Sequence, residues 1–488
     1  VDVHVSLTGT GRLTTDVYQQ LREAILDGRL RPGESLPATR ELARRLAVSR
    51  NTVINAYQRL IADGFLVGRV GAGTFVTSPP ELQRRRAPAG TALAPRAIWR
   101  ELARDREGVA RPAAAHDFSI GAPDPALFPW DEWRRLVARQ LRRRRRASGY
   151  PAPEGDPMLR AAIARHVGIS RSVRAGADDV LVTSGAQQAF DLIARVLVEP
   201  GACVAVEDPG YPPAQLAFAA HGARVVPVRV DREGLDVAAL PAAARLVYVT
   251  PSHQFPLGTP MSLARRMALL AWAERHGAAI VEDDYDSEFR FDGRPLEPLQ
   301  SLDRNGRVLY VGTFSKVLLP TLRLGFVVAP ASVMASLRAA KFLADSHGAL
   351  ELQLALREFI DDGLFARHVR RLIRVYRERR ERLGAAVERH LGDAVIALPS
   401  SAGLHASVYF RDRGLDTAAL AARALAAGVA IAPLAPYYRA DPRAGLALGY
   451  GMIAANAVDA GIRALATCLP RSRAPPQERA GPRRRAAR

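Results

Sequence analysis

With 488 residues the chain is too long for one ordinary core, so at least two domains are expected. Hydrophobic residues at 48% and charged residues at 24% exclude a disordered polymer, and the lack of any apolar run near 18 residues excludes a membrane-spanning helix. Cys203 and Cys468, far apart and without nearby histidines, support neither a disulfide framework nor a zinc site, and they suit a reducing cytoplasm. The opening residues VDVHVSLTGT lack the basic and apolar regions of a secretory signal, which again points to the cytoplasm.

The net charge of +20 suits a polyanionic partner. Of 69 basic residues only Lys316 and Lys341 are lysines. Where lysine persists in a chain that otherwise uses arginine, a role that guanidinium cannot fill is indicated. Forming an imine is such a role, because arginine is effectively never deprotonated.

In chain order, residues 10–77 form a compact, strongly patterned domain. Val17, Leu21, Ile25 and Leu26 make a helical stripe ended by Gly28. TRELARRL predicts a short helix over Thr39–Leu46, AVS a tight turn, and Ser49 an N-cap for a helix through Ala62. Two helices so joined have helix-turn-helix spacing. Val53, Ala56, Tyr57 and Leu60 should face inward. Phe65–Val67 and Thr74–Val76, linked by Arg69–Gly73, read as a two-stranded wing in which Gly71 and Gly73 allow positive φ. The second helix presents Arg50, Asn51 and Thr52 in its first turn, chemistry suited to base edges. The alternative is a small helical domain with a solvated basic face. Spacing, wing and charge together favour binding to double-stranded DNA.

Residues 78–115 are rich in Pro, Ala and Arg and read as a linker, interrupted by a helix near Ile98–Arg106. From 116 to 470, short Val/Ile/Leu runs alternate with amphipathic segments, the pattern of an α/β domain with a mostly parallel sheet. DEWRRLVARQLRRRRR is an amphipathic helix. Its five-arginine run, 142–146, reads as a solvated helix end favoured by the C-terminal dipole, with a nonspecific DNA contact as the alternative. The tail, 471–488, is Pro-rich, basic and expected to be disordered.

Within the large domain, VTSGAQQAFDL ends a strand and opens a helix, so the backbone at Gly185, Ala186 and Gln187 is a candidate phosphate cradle. VEDDYD sets carboxylates at a strand end, the usual place for an α/β site. GTFSK offers hydroxyls at Thr313 and Ser315 beside the Lys316 amine, with Arg323 seven residues on to meet phosphate charge. A Mg²⁺ or Ca²⁺ site at DDYD is the alternative. No ligand set accompanies it in the sequence, and no metal is assigned.

The run LREAILDGRLRPGESLPATRELARRLAVSRNTVINAYQRLIADGFL, followed by GAGTFV, resembles the GntR-type winged helix. That resemblance implies that Arg40 meets phosphate, Arg50 a base, and that Thr52 and the wing turn at Gly71 lie at the DNA. IGAPDPALFPWDEW, VTSGAQQAFDL, EDPGY, TPSHQFPLG, VEDDYDSEF and YVGTFSKVLLPTLRLGF, in that order, resemble the fold type I aminotransferases. With the N-terminal domain, the whole resembles the MocR/GabR-type regulators. The implied cofactor is pyridoxal 5'-phosphate (PLP), held as an imine on Lys316. Asp283 would pair with the pyridine nitrogen, Tyr285 with the ring oxygen, and Tyr211 would stack on the ring. Ser184, Gly185, Ala186, Gln187, Thr313, Ser315 and Arg323 would hold the phosphate. Tyr150 matches a tyrosine that reaches the partner subunit's phosphate, which implies a homodimer. A linker able to reach on the order of 30 Å allows that dimer to be domain-swapped.

Two positions depart from the aminotransferase pattern. Phe255 stands where an asparagine holds the ring oxygen, leaving His253 as a substitute or a structural histidine. Ala447 stands where an arginine binds the substrate carboxylate, with Arg439 and Arg443 upstream. The expected function is therefore a PLP-dependent, DNA-binding regulator responding to an amine, an amino acid or PLP itself. An active aminotransferase with an accessory DNA-binding domain is the alternative.

Overall fold

The computed structural model describes residues 13–77, 93–106, 114–143, 149–291 and 297–470. The chain folds as two compact units, Val1–Arg96 and Ala97–Arg488.

In the first unit, α1 (Leu13–Leu26) buries Val17, Leu21 and Ile25 and adds Tyr18 and Ala24 to the stripe. Leu26 does not join it. One further residue turns the helix by about 100°, and this side chain stays exposed. A two-residue strand, β1 (Ser35–Leu36), follows; two residues are too few for any period to show in sequence, which reads only as a turn there. α2 (Thr39–Arg45) leads to α3 (Arg50–Ala62), whose N-terminus is capped as expected: the Thr52 N–H donates to Ser49 Oγ at 3.1 Å. Val53, Ala56, Tyr57 and Leu60 are buried in one core with Leu21, Leu42 and Val76. β2 (Leu66–Arg69) and β3 (Gly73–Val76) form the wing, with β1 pairing antiparallel to β3 on its other side. Gly71 at the wing turn has φ +75°, a conformation that side chains other than glycine resist.

The second unit opens with α4 (Ala97–Arg106), the helix expected within the linker. Residues 78–92 and 107–113 of that segment, and the tail 471–488, lie outside the described residues. α5 (Trp130–Arg143) turns Trp133 and Leu136 inward and leaves Arg142 exposed; Arg144–Arg146 lie outside the described residues. α6 (Pro157–Arg171) then leads into the sheet.

Eight strands make that sheet: β4 (Val180–Thr183), β5 (Cys203–Asp208), β6 (Arg224–Asp231), β7 (Gly234–Leu235), β8 (Ala244–Val249), β9 (Ala279–Asp284), β10 (Val308–Thr313) and β11 (Gly325–Val328). Their order is β4-β11-β10-β9-β8-β5-β6-β7. The central strands are parallel and buried, which explains why they read as continuous apolar runs. β11 runs antiparallel to both its neighbours. The chain therefore doubles back between Thr313 and Gly325, and the segment carrying Lys316 and Arg323 becomes the turn of a hairpin at the carboxyl edge of the sheet. Between the strands, α7 (Ala186–Leu197), α8 (Pro212–Ala220) and α9 (Leu263–His276) supply the crossovers.

α10 (Ala331–Asp345), α11 (Leu350–Asp361) and the 28-residue α12 (Leu364–Leu391) lead to an antiparallel sheet containing β12 (His405–Phe410) and β13 (Gly445–Gly449). No helix among the described residues is long and apolar enough to cross a membrane.

Candidate functional site

The carboxyl edge of the large sheet gathers most of the residues expected there. Asp283, next to last in β9, is buried, and its Oδ2 accepts from the Tyr248 hydroxyl at 2.6 Å. Its Oδ1 is buried without a hydrogen-bond partner among the described residues. A buried acceptor in that condition suits a donor brought by a bound molecule. Burial pushes the Asp283 carboxyl up to about 7, against the Tyr248 bond and with help from Asp284.

A pH dependence follows. The unfolded carboxyl titrates near about 4, so the folded chain binds more protons between about pH 4 and 7. This contribution to stability is full below about pH 4 and is lost as pH rises through about 7. Thermal melts of the cofactor-free protein should show Asp283→Asn flattening the decline between about pH 5 and 7. An unchanged slope would contradict the burial argument.

Lys316 follows β10 and donates from Nζ to the Gly121 carbonyl at 2.7 Å. Burial lowers its pKa, opposed by Asp286 and Asp283, so the neutral amine is more accessible than for a surface lysine. Thr313 Oγ1 donates to Ser315 Oγ at 3.0 Å and accepts from the Ser315 N–H. Arg323, at the end of the hairpin turn, donates to the Ser184 carbonyl. Gly185 caps α7 with φ +80°, and a Cβ there would come within 3.0 Å of the Arg323 guanidinium. Glycine is thus required for the close approach of guanidinium and helix N-terminus. The first N–H groups of α7, at Ala186 and Gln187, lack carbonyl partners of the helix itself, and with Arg323 they could cradle an anion. The Gln187 side chain does not enter it, since its amide donates to the Pro213 carbonyl.

Tyr285 donates to the His253 carbonyl at 3.0 Å and lies 3.0 Å from His253 Nδ1. His253 is buried, with Nδ1 3.1 Å from both Asp286 oxygens and Nε2 3.3 Å from Ser400 Oγ. His405 packs against it, its Nε2 bonded to the Pro256 carbonyl. The fold therefore does bring histidines to the DDYD run: His253, Asp286 and His405 have ligand-type atoms within 4.8 Å of one another. Sequence spacing held no sign of it, because the three come from different strand ends. Tyr211 meets Phe255 edge-on at 5.2 Å, and Phe255 also meets Tyr285, His405 and Tyr437. Tyr150 stands outside this group, exposed, its ring 6.0 Å from that of His347.

The departures noted in sequence have a structural counterpart. Ala447 is buried among Leu257, Tyr409 and Leu434. Neither upstream arginine takes its place: Arg439 Nε donates to Gln215, and the Arg443 guanidinium lies 3.9 Å over the Tyr409 ring.

Two contacts had no counterpart in the sequence reading. Tyr248 holds Asp283 from the neighbouring strand, a contact across 35 residues that no local pattern announces. Lys341, fully buried, pairs with Asp345, which accepts from Gln188, whose Oε1 in turn accepts the Ser184 N–H at 2.8 Å. Its rarity as a lysine was the available signal.

On the first unit, Arg40, Arg50 and Asn51 are exposed, and Arg40 and Arg50 line one open cleft together with Arg44. Arg44 was also missed, although it lies one turn beyond Arg40. Thr52 is half-buried, its hydroxyl 2.8 Å from Ser49 Oγ. Gly71 is exposed at the wing turn.

The model for bacterial regulatory proteins of the gntR family matches residues 13–76, and that for aminotransferase class I and II matches residues 115–441. The probable rhizopine catabolism regulatory protein MocR of Rhizobium meliloti is 40% identical over 92% of this chain and 92% of its own. The HTH-type transcriptional regulator TauR of Rhodobacter capsulatus is 38% identical over 94% of this chain and 97% of its own. Among solved structures, the α-aminoadipate aminotransferase LysN of Thermus thermophilus is 32% identical, with a TM-score of 0.67, covering 76% of this chain and 94% of LysN. Fold and matches define a class, a helix-turn-helix transcriptional regulator fused to an aminotransferase-like domain of fold type I. Within it, the chain belongs to the MocR-type regulators of the GntR family.

Proposed function

We propose that this chain is a regulator that binds an operator in double-stranded DNA through its winged helix and holds PLP on Lys316 as the sensor of an amine or amino-acid effector, or of PLP itself. The observation that carries the sensor reading is the convergence of the Lys316 amine, the unpartnered Asp283 oxygen and the Arg323–Gly185 cradle at one sheet edge. LysN, solved with N-(5'-phosphopyridoxyl)-L-leucine, shares this fold.

When bound, PLP supplies an aldehyde carbon open to primary amines and an electron-withdrawing ring. The residues of this chain would do the rest. Asp283, desolvated and braced by Tyr248, would keep a proton on the ring nitrogen. Lys316, made easier to deprotonate by burial, would serve as the nucleophilic amine. Arg323 and the N–H groups of α7 would bind the phosphate, Tyr285 and His253 would face the ring oxygen, and Tyr211 would lie against the ring. With Ala447 in an apolar cluster, the arginine expected for an α-carboxylate is missing. Loss of one charged contact of this kind costs about 1.5–3 kcal/mol, which favours sensing over rapid turnover.

The functional unit is proposed to be a homodimer, domain-swapped through the 78–115 linker, with a two-half-site operator. An effector must bind the two conformations of such a dimer unequally to act. Selection of binding sites from a random duplex pool, repeated with a panel of amines that shift the visible absorbance of the bound cofactor, tests the proposal. Enrichment of a paired motif whose occupancy an amine changes is expected. Rapid multiple turnover of amino acids by a protein that selects no sequence would overturn it.

The Lys341 chain of hydrogen bonds gives a subsidiary expectation. Lys341→Gln should loosen Gln188 and Ser184 and weaken PLP retention several-fold in equilibrium dialysis, while leaving Lys316 able to bond the cofactor. Unaltered retention would show that the network does not position the cradle.

A further inference from the structure

The first half of α12 carries Arg367, Arg370, Arg371, Arg374 and Arg377, all exposed and none with a side-chain hydrogen bond or ion pair among the described residues. Helix physics disfavours this arrangement. Arg367 closes the first turn, where the helix dipole favours anions. Arg367 and Arg371, and Arg370 and Arg374, are like-charge pairs at i,i+4, each mildly destabilising. The second half of the same helix is different: Glu378, Glu381 and Glu388 are interspersed there, and Glu378 pairs with Arg382 at 2.8 Å. The arginine-rich composition of the chain explains why these cations are arginines. It does not explain why acids are missing from residues 363–377.

Arg367, Arg371 and Arg374 line a cleft of about 300 Å³ with Glu132, Phe359 and His368. Glu132 is the acid facing this row, and it also lies 3.9 Å from Arg135. From Arg367 to Arg377 the row extends about 15 Å at roughly 1.5 Å per residue. A compact anion cannot span a row of that length. A strand of duplex DNA, with one phosphate per about 3.4 Å of axis, offers about four or five charges over that length.

We propose that the N-terminal half of α12 is a second DNA-contact surface, gripping phosphates of the duplex that flanks the operator. This rests on the regulator reading, and it adds a sequence-independent contact made by the aminotransferase-like domain.

The test uses the full-length protein and the duplex motif enriched by site selection, embedded once in a fragment just spanning the half-sites and once in a fragment extended by several tens of base pairs. Wild type should bind the long fragment more tightly and with a steeper dependence of log K on log salt. The triple variant R367Q/R371Q/R374Q should lower the long-fragment slope by about 2.7, at roughly 0.9 per lost phosphate contact, and leave short-fragment affinity unchanged. Its melting temperature should not fall, since the change removes repulsion. Equal binding of wild type to both fragments, or a long-fragment slope untouched by the triple variant, would overturn the proposal. So would a clear fall in melting temperature, which would mean that these arginines hold the fold. If wild type enriches no sequence, the regulator reading fails first, and the two failures are thereby distinguished.

Discussion

Replacing Lys316 by alanine is expected to abolish the visible band of the imine proposed between chain and PLP, because that bond needs a neutral primary amine. Asp283, the α7 N-terminus and Arg323 remain in the variant, so some non-covalent retention should persist and be washed out on dialysis. Lys316→Arg is the informative companion. It keeps the positive charge beside Asp283 and Asp286, yet a guanidinium is effectively never deprotonated and is a poor nucleophile. Both variants should therefore lose the band and the response to amines together. A band retained by either would place the cofactor on another group, Lys341 being the remaining lysine. The full burial of the Lys341 side chain and its pairing with Asp345 argue against that outcome.

The second large effect is expected at the winged helix. Arg50 is the first residue of α3, exposed beside Arg40 and Arg44, while its neighbour Ser49 fixes the helix end by accepting from the Thr52 N–H. A bidentate arginine–guanine contact is worth about 1–3 kcal/mol, so Arg50→Ala should weaken operator binding roughly five- to 150-fold and relax preference at one base position. Arg40→Ala should instead weaken all sequences alike and lower the salt slope by about 1. Competition binding at matched salt separates the two. Equal affinity of wild type and Arg50→Ala for the selected site would remove α3 from the reading of bases.

Much of this architecture is local and was legible. The spacing of Val17, Leu21 and Ile25 shows a helix because apolar residues three to four apart share a face. Ser49 shows a helix start because its side chain satisfies a nearby backbone donor. The buried strands show themselves as apolar runs because both their faces are covered. Lys316 stood out through chemistry, one of two lysines where arginine is the rule.

Other features depended on contacts that no window of sequence contains. Tyr248 reaches Asp283 across 35 residues, His253 reaches Asp286 across 33, and Gln188 reaches Asp345 across 157. These pairings follow from strand order, which sets β8 beside β9 and brings β4 against β11. The antiparallel return of β11 is the decisive case. It sends the chain back after Lys316, so that Arg323 arrives at Gly185 on the same edge as the amine. Periodicity encodes which side of an element is buried, whereas the juxtaposition of distant strand ends is set by how the elements pack. Residue types and local caps were therefore readable along the chain, and the convergence of amine, carboxylate and anion cradle emerged only with the sheet.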